Sequence, residues 1–392
     1  MAADAGSPIL LDVSRLVWRA WIGLLPTGID RTALAYVAHF RGCARAVVQR
    51  GGYTRTLSLQ MSTRLFDILL DGGPDVRTRL MRMAPGALLP VEPVAPGSIY
   101  LNVGHTGLDR AGHAQWLERI RPRAVYFVHD LIPLTHPEYC RVGEPDRHRR
   151  RINAMLDHGA GIIGNSRETI SELAIFAGLQ RDRAMPPSLA APLGIDMPAV
   201  SRGGGTTVLP SDAYFVTVGT IEGRKNHLLL LNLWADMARA LGARCPRLII
   251  IGRRGWESEQ AVDMIERCEA VRGHVIELPR CSDAQLMDYM RGARALLFPS
   301  FVEGYGLPLV EALGCGTPVI ASDLGVFREL AGEIPDYLSP VDGLGWRDLI
   351  LDYAKPDSAS RAAQLARMTG WRPPTWAQHF SLVERWLGQI AE

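Results

Sequence analysis

"ALLFPSFVEGYGLPLVEALGCGTPVIAS", residues Ala295 to Ser322, is the stretch whose reading decides the fold. Its ends, "ALLFPS" (Ala295 to Ser300) and "TPVIAS" (Thr317 to Ser322), are short, continuous apolar runs. Such runs fit strands of a parallel sheet, which are covered on both faces. Between them, Pro308 suits the first turn of a helix, where its missing N–H costs nothing. Gly314 and Gly316 then stop that helix. Strand, loop, helix and strand in this order make one parallel crossover unit. Its loop holds Glu303 among glycines, and its helix holds Glu311. Ligands of open α/β sheets sit beyond the C-terminal ends of strands, at helix N-termini, so both glutamates approach one crevice. Gly304 and Gly306 let backbone N–H groups come close to a ligand. An ionised carboxylate only accepts hydrogen bonds and suits the vicinal hydroxyls of a sugar or a ribose. Alone, Glu311 would read as a first-turn carboxylate favoured by the helix dipole. With its loop partner and the flanking glycines, the ligand reading is stronger.

The same alternation extends in both directions. "PILLDV", "SIYLNV", "AVYFVH" and "AGIIGNS" read as buried strands in the first half, beginning at Pro8, Ser98, Ala124 and Ala160. "YFVTVG", "RLIIIG" and "HVIEL", beginning at Tyr214, Arg247 and His274, do so in the second. Amphipathic stretches separate them, such as Asn226 to Gly242 and Ser282 to Ala293, the latter with Ser282 as N-cap. The pattern predicts open parallel α/β sheets. The glycine-, proline- and serine-rich stretch Gly194 to Asp212 predicts a linker between two of them. After Pro374 a helical pattern resumes with its aromatic and leucine positions on one side.

The chain has 392 residues, above the usual size of one domain. Hydrophobic residues make up 47% and charged residues 21%, as in a globular protein with ample core. A net charge of +2 gives no argument for nucleic-acid binding. Six scattered cysteines with no C-x-x-C pair predict reduced thiols and a cytoplasmic setting. The N-terminus lacks a signal-peptide pattern, and no apolar run has the length of a membrane span.

Arg224 and Lys225 stand between a strand and a helix in "VGTIEGRKNH" (Val218 to His227). Two cations at a helix N-terminus oppose the dipole unless an anion lies between them, which predicts a diphosphate site shaped by Gly219 and Asn226. In "PTGIDRTALAY", Thr27 and Asp30 have capping-box spacing. Arg31 follows with the wrong sign for the dipole, so either Asp30 neutralises it or it serves an anion. "GHTG" (Gly104 to Gly107) follows a strand and places His105 on the acceptor side. "DRHRRR" (Asp146 to Arg151) is either a solvated helix face or a surface attracted to an anionic membrane.

Taken together, "EGYGLPLVEALGCGTPVIASD", "VGTIEGRKNH", "LIIIGRRGW", "VYFVHDLIPLTHPEY" and "PLGID" resemble the retaining GT-B glycosyltransferases of sequence family 4. The variants seen here are similar to bacterial O-antigen or exopolysaccharide enzymes, often mannosyltransferases. The resemblance implies two Rossmann-like parallel α/β domains facing a central cleft. An acceptor-binding domain would span 1–200 and a nucleotide-sugar domain 201–374, with helix 375–392 packing back on the first. It implies that Arg224 and Lys225 neutralise the leaving nucleoside diphosphate and that Glu311 binds ribose hydroxyls. Glu303 would bind the transferred sugar, with Gly304, Tyr305, Gly306 and Leu307 near sugar and phosphates. Arg253, Arg280 and Cys281 would adjoin the base. His129 would face the donor sugar, and Asp130 would orient His129 or touch the acceptor. Gly28 and Arg31 would lie on the acceptor side, the family's glycine pair being reduced here to Thr27–Gly28. No metal or cofactor is implied, only a nucleoside-diphosphate sugar (GDP-mannose first) and a saccharide or lipid-linked saccharide acceptor. Peripheral contact with the inner membrane is compatible with that acceptor. The alternatives are a nucleotide-sugar epimerase of related fold and a non-catalytic binding subunit; a dehydrogenase is disfavoured because no G-x-G-x-x-G follows the first strand of either half.

Overall fold

The computed structural model describes residues 8–86, 91–180, 184–195 and 207–391. Contacts divide the chain into two units. One comprises Met1–Leu134, Val142–Gly194 and Thr375–Glu392; the other comprises Thr135–Arg141 and Ile195–Pro374. Most of the expected linker, residues 196–206, lies outside the described residues, and so does the 200/201 boundary.

The first unit is built on β1 (Ile9–Asp12), β2 (Ala44–Arg50), β3 (Tyr53–Thr56), β4 (Ile99–Asn102), β5 (Arg123–Val128), β6 (Gly159–Gly164) and β7 (Ser188–Ala190). Their order is β3-β2-β1-β4-β5-β6-β7. All neighbours are parallel except β3, which returns antiparallel to β2 at the edge. Leu10, Tyr100, Tyr126 and Ile162, from four strands, are fully buried and pack with Trp116, Ile152, Met155 and Leu173 from the covering helices. The last helix, Trp376–Ala391, belongs to this unit because its apolar side is covered there. Phe380 meets Tyr36 with ring centroids 5.0 Å apart, and His379 Nε2 lies 3.0 Å from the Tyr36 hydroxyl.

The second unit is built on β8 (Tyr214–Val218), β9 (Arg247–Ile251), β10 (Val275–Leu278), β11 (Leu296–Phe298), β12 (Val319–Ser322) and β13 (Asp336–Leu338). Their order is β10-β9-β8-β11-β12-β13, parallel throughout. Phe215, Leu230, Trp234, Leu248, Ile250, Leu297, Ile320 and Trp346 are fully buried in its core.

In both sheets the chain winds outward from the first strand, then returns and continues on the other side. The reversals fall between β1 and β4 and between β8 and β11, where an open parallel sheet leaves a crevice for ligand. The four strands that sequence reading left out are β2, β3, β7 and β13. β7 ("SLA") and β13 ("DYL") have three residues each, one of them polar, and form no apolar run. β2 and β3 carry arginines and threonines on an edge hairpin that is only partly covered.

Candidate active site

β8 and β11 flank the reversal in the second sheet, and the loops leaving them carry the predicted residues. Gly219 has φ +143°, and a Cβ there would lie 3.4 Å from Lys225 Cε, so a side chain would crowd the lysine. Gly223–Lys225 forms a single 3-10 turn that ends at Asn226 with φ 57°. Asparagine tolerates this left-handed conformation. Its Nδ2 fixes the turn by donating to Pro299 O (3.2 Å) and Pro340 O (2.8 Å). Phe301 N donates to Arg224 O (2.8 Å), which stitches the β8 loop to the β11 loop.

The charged side chains then meet. Arg224 Nη1 donates to Glu303 Oε2 (2.9 Å) and to Val302 O (3.2 Å). Its Nε faces Glu222 Oε1 at 2.6 Å. Lys225 Nζ and the Ser300 hydroxyl (2.7 Å) both donate to Glu303 Oε1. The Glu303 side chain is 7% exposed and that of Lys225 11%. Burial pushes the Glu303 carboxyl up, but Lys225 and Arg224 outweigh it and hold the group at about 2. Burial lowers the Lys225 ammonium in spite of Glu303. It also raises Glu222, which Arg224 and Lys225 pull back towards ionisation. Two cations are thus held by two carboxylates that are themselves largely buried. Sequence reading had assigned the cations and Glu303 to different groups of a ligand; here they touch directly. Glu222 and Ser300 were overlooked, though one lies in "TIEGRKN" and the other closes the β11 segment.

Glu311 is 2% exposed. It is the fifth residue of helix Leu307–Gly314, which has Pro308 in its first turn and no acidic residue there. The first-turn carboxylate reading therefore fails: Glu311 sits one turn deeper, inside the fold. Gly306 precedes the helix with φ +111°, and a Cβ on it would lie 2.7 Å from the Phe327 ring. Tyr305 is buried, and Gly304 and Leu307 are half-buried beside it. Arg253 follows β9, and Arg280 and Cys281 follow β10, further along the same sheet edge. The two arginines are exposed, and burial raises the Cys281 thiol, with Asp283 adding to it.

The end of the motif "VYFVHDLIPLTHPEY" joins the second unit, which its sequence does not signal. Tyr139, in the segment that joins this unit from the first half of the chain, stacks on Phe301 (centroids 5.6 Å apart). Its carbonyl accepts from Trp256 Nε1 at 3.1 Å.

In the first unit, His105 and His129 leave the C-terminal ends of β4 and β5. His105 has φ 57° and donates through Nε2 to Phe127 O, while His129 Nε2 donates to Val103 O at 2.8 Å. Each ring is thus bonded to the neighbouring strand's segment, with centroids 5.1 Å apart. Burial lowers both, His129 to about 4, so each is a neutral imidazole whose Nδ1 carries the lone pair. Asp130 does not orient His129, as had been one expectation. Its Oδ1 accepts from Ile132 N (3.1 Å), and the Val103 carbonyl fixes the ring instead. His148 Nε2 donates to Asp130 O (3.2 Å), and Asn165 Nδ2 donates to His129 O (2.8 Å).

The Thr27–Asp30 capping box forms, with Gly28 exposed at the first helical position and Arg31 half-buried. Asp30 is buried, and its ion pairs are to Arg15 (2.7 Å) and Arg19 (2.6 Å), neither of them anticipated. The basic run lies on helix Glu144–His158, where Arg147 pairs with Asp109 (3.3 Å) and Arg151 with Glu144 (3.1 Å). His148 within it is buried.

Residues 207–334 match the family described as Glycosyl transferases group 1. The serotype-specific mannosyltransferase WbdA of Escherichia coli is 28% identical over 231 residues, which are 55% of this chain and 28% of the relative. The O-antigen chain mannosyltransferase B of the same organism is 30% identical over 225 residues, 56% of this chain and 58% of that one. The chain therefore spans well under two thirds of these relatives. A solved structure of trehalose-6-phosphate synthase, from work on glycosyltransfer with retention, matches with a TM-score of 0.63 at 12% identity. It covers 98% of this chain and 99% of its own, and the two parallel-sheet α/β units form a GT-B fold, as expected from sequence.

Proposed function

We propose that this protein is a retaining, metal-independent glycosyltransferase that moves a sugar from a nucleoside-diphosphate donor to a saccharide or lipid-linked saccharide. The observation that carries the reading is the Arg224–Lys225–Glu303 cluster at the C-terminal ends of β8 and β11. In the resting site Glu303 neutralises both cations. A donor diphosphate replaces it on Arg224 and Lys225 and releases the carboxylate to the sugar hydroxyls. Glu311, buried one turn into its helix, binds the ribose. The bond between the anomeric carbon and the phosphate oxygen breaks, and the acceptor oxygen bonds to the same face. The acceptor's proton passes to the departing phosphate oxygen. Arg224, Lys225 and the adjoining helix N-termini stabilise the charge that develops there, the role a metal ion has in other sites. His129, neutral and fixed through Nε2, offers Nδ1 as an acceptor to a sugar hydroxyl.

The relatives' names support mannose as the sugar and GDP-mannose as the donor, in the assembly of a bacterial surface polysaccharide. The site of action would be the cytoplasmic face of the inner membrane, with peripheral contact. A thermal-shift panel of GDP-mannose, UDP-glucose, UDP-N-acetylglucosamine and dTDP-rhamnose tests the donor. A ligand at a hundred times its Kd adds about 2.7 kcal/mol to the native state. Transfer in EDTA and NMR of the product's anomeric centre test the rest. Stabilisation by GDP-mannose, turnover without metal and a retained configuration are expected. Activity restored only by Mg²⁺, or an inverted product, refutes the mechanism.

A further inference from the structure

Helix Ser14–Trp21 and the loop that follows it carry an exposed apolar surface that sugar transfer does not use. Trp18 and Leu25 are each 56% exposed, Ile22 44% and Leu24 39%. Trp18 and Ile22 are one turn apart and share a side of the chain. The helix packs against Val76–Met83, and the Arg77 guanidinium lies 5.0 Å over the Trp21 ring. Met81, exposed, is one turn on from Arg77 and on the same side; Arg82 beside it is also exposed. Neither Ser14 to Ile29 nor Val76 to Met83 contains an acidic residue. Of the acids at their borders, Asp30 is paired with Arg15 and Arg19 and Asp71 with Arg79 at 2.8 Å, whereas Asp75, immediately before Val76, is exposed. Tryptophan and aliphatic side chains rimmed by arginine have the chemistry of a membrane–water interface, where apolar bodies enter the acyl boundary and cations meet the headgroups.

From this we propose that the surface formed by Trp18, Ile22, Leu24, Leu25, Met81 and the guanidinium groups of Arg77 and Arg82 docks on an anionic lipid bilayer. Of the basic run Asp146–Arg151, which sequence reading offered for this contact, Arg147 and Arg151 are drawn into pairs with Asp109 and Glu144 and Arg149 lies over the Phe176 ring. The exposed residues from Glu144 to His158 include no apolar side chain. The docking loop leads directly into Thr27 and Gly28, so a lipid-linked acceptor would be met where it emerges from the bilayer. This deepens the peripheral-membrane part of the proposed function. Binding is scored without donor or acceptor, so its failure leaves the transfer reading standing.

The test is co-sedimentation of the full chain with vesicles of phosphatidylcholine alone or mixed with phosphatidylglycerol. Wild type binds the mixed vesicles. Arg77→Glu with Arg82→Glu weakens binding by about 30-fold or more at low salt, since each basic residue near the surface contributes on the order of 1 kcal/mol. Trp18→Ser with Leu25→Ser weakens it tenfold or more and still does so in high salt, where charge is screened. Arg149→Glu with Arg150→Glu, on the basic run, has the smaller effect. Unchanged thermal midpoints confirm that these surface variants fold, and the two patch variants test the same surface independently. Three outcomes overturn the proposal: no binding of wild type to anionic vesicles, loss only in the Arg149/Arg150 variant, or a solution dimer that Trp18→Ser with Leu25→Ser makes monomeric.

Discussion

At the residue scale, the cluster around Glu303 sets the expectations. Arg224→Ala or Lys225→Ala should lower kcat by about 100-fold or more, because in the proposed mechanism both cations would face charge that grows on the leaving phosphate. Steady-state rates at saturating donor measure this, and near-normal turnover in both variants would remove the diphosphate role. Glu303→Gln separates resting from working roles. In the proposed mechanism the carboxylate would compete with phosphate for Arg224 and Lys225, so its loss should leave nucleoside-diphosphate affinity unchanged or stronger by calorimetry. Transfer should nevertheless fall by about 100-fold. Weaker diphosphate binding in this variant would refute the competition. The loops that carry Arg224, Lys225 and Glu303, and the helix that carries Glu311, were legible in the sequence because glycines and a proline mark them. Their mutual contact was not, since spacing within a loop does not fix which side chains meet. Arg15 and Arg19 escaped notice for a similar reason: their partner Asp30 is brought to them only by the helix packing.

At the element scale, the strand-to-helix turn before Leu307–Gly314 has the least room for change. Gly306→Ala adds a methyl 2.7 Å from the Phe327 ring at φ +111°, a conformation that alanine adopts poorly. Destabilisation of about 1–3 kcal/mol is expected, read as a lower denaturation midpoint. The shift should also weaken nucleotide binding, because Glu311 rides on that helix. A variant as stable as wild type would show that the turn relaxes freely. Strands of four or more mainly apolar residues were foreseen within a residue or two of their ends. β11 has only three residues, but all are apolar and follow Ala295; β13 and β7, as short, were not foreseen because Asp336 and Ser188 interrupt any such run. The hairpin arm β3 was also invisible: its sequence "YTRT" alternates without an apolar face.

For the whole molecule, buried histidines set the acid limit. His113, His129 and His379 are lowered to about 4 and His227 to about 3, in each case by burial first. The unfolded chain holds these groups near 6.5, so between about 6.5 and 4 it binds more protons than the folded one. Their contribution to stability is therefore complete above about pH 6.5 and falls as the pH drops, by up to about 1.4 kcal/mol per pH unit for each histidine. Glu172, raised to about 7 by burial, opposes one of them between about 7 and 4.5. Glu303 extends the loss in the same direction, from about 4.5 down to about 2. Thermal midpoints measured from pH 8 to pH 4 should be flat and then decline, and a midpoint rising on acidification would contradict the burial account. None of this was evident from composition, because a histidine's neighbours come from elements far apart in the chain.

The unit boundaries bear on how such proteins can be recombined. Each unit is discontinuous in the gene: the segment Thr135–Arg141 belongs with the second, and Thr375–Glu392 with the first. A chimera joined at one point near residue 195, meant to exchange donor specificity, would carry the wrong Tyr139 against Phe301 and a foreign final helix against Tyr36. Exchange of the second unit as a working module therefore takes two grafts, Thr135–Arg141 and Ile195–Pro374, with the native tail retained.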